Sequence, residues 1–135
     1  MAVIIGDGAL GWSLAALLGE GEKKVFVISR LPRLKTNPEI TLNGSVLKSQ
    51  FIDYQSFITH DFKYDSIYYV CVKAFDLEAA LKQLSMSLMA QNRTDKPLVI
   101  LCCNGLILDE MAKWVETYDG MTIARGIVSW GSTYQ

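Results

Sequence analysis

Ala2-Val3-Ile4-Ile5-Gly6-Asp7-Gly8-Ala9-Leu10-Gly11 opens the chain directly after Met1. The run from Ala2 to Ile5 is short, unbroken and rich in β-branched residues. That is the composition of a strand buried on both faces, as strands of parallel sheets are. Gly6 to Gly11 then spells GxGxxG. Trp12 to Leu18 contains no breaker and predicts a helix that stops near Gly19 and Gly21. Lys24 to Ser29 (Lys-Val-Phe-Val-Ile-Ser) reads as a second buried strand. Strand, glycine turn, helix and strand in this order make a βαβ unit.

Three glycines at fixed spacing mean little alone. Placed directly after a strand and opening a helix, they stand in the context that phosphate binding requires. The first allows the tight turn, the second lets a pyrophosphate approach the backbone, and the third lets helix and strand pack closely. The pyrophosphate would lie on unpaired N–H groups at the positive end of the helix. Gly6, Asp7, Gly8, Ala9, Leu10 and Gly11 are therefore candidate cofactor-binding residues.

The end of the second strand selects the cofactor. A site for NAD usually carries Asp or Glu about 20 residues beyond the glycines, to accept from the ribose hydroxyls. Here Ser29-Arg30 occupies that place, with Arg33 and Lys35 close behind. A guanidinium where a carboxylate would stand suits the 2′-phosphate of NADP(H). Ser29 and Arg30 join the candidate cofactor residues.

Downstream, Pro32 and Pro38 mark a loop, and Asn43-Gly44 between Ile40-Thr41-Leu42 and Ser45-Val46-Leu47 predicts a tight hairpin. Residues 31–65 show no other regular pattern. Ser66 to Val72 predicts a third core strand, and Asp76 a cap for the helix after it. In that helix Leu77, Ala80, Leu81, Leu84 and Leu88 recur at three- and four-residue spacing. Pro97 to Cys102 predicts a fourth strand, Leu108 to Tyr118 a helix, and Met121 to Val128 a last strand-like run. This alternation places residues 1–135 in the α/β class: one Rossmann-type domain with a mainly parallel sheet and helices on both faces.

Composition narrows the function. The chain has 135 residues, half of them apolar, and a net charge of -1 from 13 basic and 14 acidic residues. That balance argues against a nucleic-acid or anionic-membrane partner. No apolar stretch approaches the roughly 18 residues of a membrane span. Cys71, Cys102 and Cys103 lie in apolar runs without metal-ligand spacing and read as buried, reduced thiols of a cytoplasmic protein. His60, the only histidine, has no Ser/Asp constellation around it and reads as an ordinary surface residue.

Two further residues fall at the carboxyl ends of predicted strands, where open α/β sheets bind ligands. Lys73 follows the third strand and Asn104 the fourth. Lys73 directly follows a buried apolar run and stands at the same sheet edge as the glycine loop.

The glycine loop, Arg30, Val72-Lys73-Ala74-Phe75-Asp76 and Asn104-Gly105-Leu106 together resemble ketopantoate reductase, 2-dehydropantoate 2-reductase. The resemblance spans essentially the whole chain, as the N-terminal nucleotide domain of that family. It implies NADPH-dependent reduction of ketopantoate to pantoate, on the route to pantothenate. Lys73 and Asn104 are then the candidate catalytic residues, both also touching the cofactor region. Cys103 stands where the family commonly has Gln. The family's helical substrate domain, which carries a second catalytic lysine, lies outside these residues. The chain is accordingly expected to bind cofactor without turning over substrate, and to expose an apolar face that a helical domain or a second copy would cover. The alternative is a non-catalytic module that senses NADP(H). A flavin or S-adenosylmethionine site on a similar βαβ unit is a weaker one.

Overall fold

A computed structural model describes residues 1–20, 24–29, 36–47, 52–63, 65–89, 96–103 and 108–126. In chain order the elements are β1 (Ala2–Ile5), α1 (Ala9–Gly19), β2 (Val25–Ser29), β3 (Ile40–Leu42), β4 (Ser45–Leu47) and β5 (Ile52–Ser56). They continue with β6 (Ile67–Val70), α2 (Ala74–Met89), β7 (Leu98–Leu101), α3 (Leu108–Thr117) and β8 (Thr122–Arg125). Six strands form one parallel sheet in the order β5-β2-β1-β6-β7-β8. From β1 the chain builds outward through β2 to β5, then returns to the other side of β1 with β6. The strand order reverses between β1 and β6, which opens a crevice at their carboxyl ends. This is the Rossmann-type arrangement.

Period-two side-chain alternation sends each strand's apolar residues to both faces. Val3, Ile5, Phe26, Ile28, Tyr68, Val70, Val99 and Leu101 pack with Leu77, Leu81 and Leu84 of α2 and Trp114 of α3. Ile4, Val25 and Val27 pack on the opposite side with Trp12, Ala15 and Ala16 of α1. Burial of one such leucine contributes roughly 1.5–3 kcal/mol, which is why the 3.6-residue stripe of α2 was legible from sequence. The hairpin forms at Asn43 (φ 50°) and Gly44 (φ 83°), pairing β3 with β4.

The structure corrects several readings. Helix α1 begins at Ala9, earlier than Trp12, because Gly8 is already extended and its carbonyl accepts the first helical bond from the Trp12 N–H at 3.1 Å. Helix α2 begins at Ala74, so Asp76 lies inside the first turn and does not cap it; its N–H donates to the Lys73 carbonyl at 2.9 Å. Its carboxylate still lies near the positive helix end. The core strands are shorter than read, ending at Val70, Leu101 and Arg125.

Strand β5 went unread. It sits at the sheet edge with a single strand neighbour, so Asp53, Tyr54, Gln55 and Ser56 need not be apolar. His60 is buried, contrary to the surface reading. Its ring lies 4.8 Å from that of Phe26 and 4.7 Å from that of Phe62, and Nδ1 is 2.7 Å from the Gln55 Oε1. These neighbours come from β2, β5 and the turn beyond β5, so local sequence could not disclose the pocket. Burial lowers the His60 pKa from its ordinary value, against a smaller opposing pull from Asp61.

Candidate functional site

The glycine loop lies where β1 ends and α1 starts, and each glycine has a different physical reason. Gly6 has φ +120°, a conformation L side chains rarely adopt, and a Cβ there would collide with the Cys71 carbonyl oxygen. Its N–H donates to the Ile28 carbonyl at 2.9 Å, so the turn is pinned between β2 and the end of β6. A Cβ on Gly11 would run into the Gly6 carbonyl oxygen, because helix and loop are in direct backbone contact. Gly8 differs. Its backbone is extended, φ -82° and ψ -173°, which any residue can adopt, and among the described residues nothing lies within 4 Å of a Cβ built on it. Packing within the protein therefore accounts for Gly6 and Gly11 but not for Gly8.

Gly8 is also the N-cap of α1, a position from which it offers no side chain to cap the helix. The first helical turn carries no acidic residue. The N–H groups of this turn lack intrahelical partners, as at every helix start. Together with the helix dipole they form a positive surface suited to phosphate oxygens. Ala9 and Leu10 belong to this turn and are half-buried.

Beside the loop is a cleft of about 160 Å³, lined by Ile5, Gly6, Asp7, Ile28, Ser29, Phe57, Val72, Asp76 and Ala80. It stands at the crevice where the strand order reverses. Ile5, Ile28, Phe57 and Val72 offer apolar surface, while Asp7, Ser29 and Asp76 supply polar groups. A ribose and a purine need that combination of hydroxyl partners and apolar walls. Asp7 is fixed by the Tyr54 hydroxyl, which donates to its carboxylate at 2.6 Å. The Tyr54 ring is held in turn against Trp12, with centroids 5.3 Å apart. Sequence reasoning missed Tyr54 because β5 was not recognised. Asp76 and Phe57 were also missed as site residues; Asp76 stood in the motif that was quoted, but its direction depends on the start of α2.

Of the sequence-derived candidates, the structure brings Gly6, Asp7 and Ser29 into one cleft, with Gly8, Ala9, Leu10 and Gly11 in the adjoining loop and helix turn. Lys73 is exposed and follows Val72, which lines the cleft. It directly precedes α2, so its charge stands at the start of that helix. Phe75, its neighbour but one, is 80% exposed. Arg30 and Asn104 lie outside the described residues.

Beneath the loop are the thiols. Cys71, Cys102 and Cys103 are all free and buried. The neighbouring Cys102 thiol and then burial raise the Cys71 pKa above the ordinary thiol range, and the same thiol–thiol interaction lowers that of Cys102. Burial raises that of Cys103. Among the described residues no group of His, Cys, Asp and Glu could hold a metal ion, and no helix is long and apolar enough to cross a membrane.

A family model described as Ketopantoate reductase PanE/ApbA matches residues 2–135. The chain belongs to the ketopantoate reductase family. Solved structures of similar fold include 2-dehydropantoate 2-reductase from Methylococcus capsulatus, at TM-score 0.72 and 18% identity, covering 99% of this chain and 42% of that one. A dimeric ketopantoate reductase from Staphylococcus aureus aligns at TM-score 0.64 and 18% identity, covering 100% of this chain and 45% of that one. This member of the ketopantoate reductase family thus spans less than half the length of these structural relatives. No curated protein matches it by sequence.

Proposed function

We propose that residues 1–135 form the NADP(H)-binding part of an oxidoreductase of the ketopantoate reductase type, acting on a small 2-oxo acid such as 2-dehydropantoate. Gly8 carries this reading. Neither backbone conformation nor packing among the described residues requires a glycine there, and it opens α1 beside a cleft of about 160 Å³. Open space over a glycine at this place suits a pyrophosphate seated on the backbone.

The residues present fit the cofactor. Gly8, Ala9 and Leu10 would hold the pyrophosphate through backbone N–H groups. Ser29, Asp7 and Asp76 would meet the ribose hydroxyls, and Arg30 the 2′-phosphate. When bound, NADPH supplies a hydride to the carbonyl of a 2-oxo acid. Lys73 would provide the positive charge that the carboxylate or the developing alkoxide needs, from the N-terminal end of α2, where the helix dipole adds to it. Asn104 would contact the same region as a neutral hydrogen-bonding group. The helical substrate domain of the family would complete the site, so these residues by themselves bind cofactor without ordinary turnover. A soluble cytoplasmic setting accords with the family.

Calorimetric titration of the purified protein with NADPH, NADH, flavin and S-adenosylmethionine tests the reading. NADPH is expected to bind most tightly. Affinity for NADPH no better than for flavin or S-adenosylmethionine would overturn it.

A further inference from the structure

The pairing of Val70 with Leu101 in adjacent parallel strands makes Cys71 and Cys102 the next pair in register. The ladder continues through them, since the Cys102 N–H donates to the Val70 carbonyl at 2.9 Å. Both side chains lie in the apolar cluster beneath α1, whereas Cys103 alternates to the cluster on the opposite face. Cys71 and Cys102 are therefore the two thiols that face one another. Cys71 is also a wall of the glycine loop: its N–H donates to the Ile5 carbonyl at 2.7 Å, and its own carbonyl lies directly against Gly6.

We propose that Cys71 and Cys102 form a reversible disulfide under peroxide, and that this bond loosens the glycine loop and weakens cofactor binding. The second half rests on the NADP(H) reading above. Neighbouring strands lie about 4.8 Å apart, inside the Cα separations that a disulfide spans. Bridged Cβ atoms lie about 3.8 Å apart, so closing the bond draws the two strand ends together by roughly 1 Å. Strand β6 lies between β1 and β7, so the part of this movement that falls on Cys71 carries it towards β7 and draws its carbonyl away from Gly6.

The chemistry balances with a peroxide as oxidant. The Cys102 sulfur, the more readily ionised of the two, attacks a peroxide oxygen. The O–O bond breaks, one oxygen leaves as water, and Cys102 becomes a sulfenic acid. The Cys71 sulfur then displaces the remaining oxygen as a second water. Two thiols lose two electrons and two protons, and hydrogen peroxide is reduced to two waters.

The test treats the purified protein with hydrogen peroxide and maps its disulfides by mass spectrometry, alongside NADPH titration before oxidation, after it, and after dithiothreitol. The expected result is a Cys71–Cys102 linked peptide, a fall from three free thiols to one, and NADPH affinity at least fivefold weaker, restored by the reductant. C103S should respond in the same way. C102S and C102A, two variants in case one folds poorly, should bind NADPH and resist the loss. A Cys102–Cys103 linkage, irreversible over-oxidation without any linkage, or a linked protein that binds NADPH unchanged would overturn the proposal. Failure of the reduced protein to bind NADPH at all would overturn the cofactor reading instead, with the mapped linkage still deciding whether the thiol pair exists.

Discussion

Replacing Gly6 and Gly8 separately by alanine should divide the work of the glycine loop into folding and binding. At Gly6 the new Cβ meets backbone, the Cys71 carbonyl, which cannot rotate away, and φ +120° is itself strained for alanine. The strained conformation costs about 1–3 kcal/mol and the overpacking a similar amount, so roughly 2–6 kcal/mol together. For a domain of this size, each kcal/mol corresponds to roughly 3–5 °C in Tm, which places the expected fall at about 6–30 °C. At Gly8 the Cβ meets none of the described residues and the backbone is unstrained, so stability should stay within about 0.5 kcal/mol. The methyl group would instead occupy the approach of the pyrophosphate, and a misfit of about 1.4 kcal/mol or more is a tenfold or greater loss of NADPH affinity. Thermal melts and NADPH titrations of both variants measure the contrast. Equal destabilisation by the two substitutions would refute the packing argument. A stable Gly8→Ala protein with unaltered NADPH affinity would refute the placement of the pyrophosphate.

Three other perturbations address the same site and its support. Arg30→Ala should weaken NADPH more than NADH by about 1–3 kcal/mol, the worth of a charge-assisted contact to the 2′-phosphate; equal losses in paired titrations would remove the case for NADP(H). Tyr54→Phe keeps the ring on Trp12 but deletes the 2.6 Å bond to Asp7, so chemical denaturation should show a loss of about 1–2 kcal/mol. His60 has a folded-state pKa below its unfolded value, so the unfolded chain binds the extra proton. Stability should therefore be full above the ordinary histidine range and fall as the pH drops through it, levelling off below the folded pKa; His60→Phe should flatten that limb in denaturation curves taken across the acid range.

How far the sequence carried the argument differs between the two halves of the site. The loop half was open to reading because its determinants are local. A β-branched run, a glycine spacing and a breaker-free helix follow one another within Ala2 to Gly19, and each expresses a backbone or packing rule acting over a few residues. The cleft half was not. Phe57 lines it from the turn after an edge strand and Tyr54 of that strand holds Asp7, and an edge position removes the demand for apolar residues and with it the periodic signal. His60 was misread for a related reason, since the rings that bury it come from sequence-distant Phe26 and from Phe62 across the turn.

By itself, then, the sequence determined the α/β class, the βαβ opening, the apolar stripe of α2 and the chemistry that GxGxxG can support. These are consequences of short-range sterics and of hydrophobic periodicity, which survive in a single chain read left to right. Only the tertiary structure decided that the six strands run in the order β5-β2-β1-β6-β7-β8 and leave a crevice between β1 and β6. It also decided which glycines the protein needs for itself and which one it leaves open. Both facts depend on pairings between residues far apart in sequence, such as Gly6 with Cys71, and close approach of two backbones leaves no periodic trace in either segment.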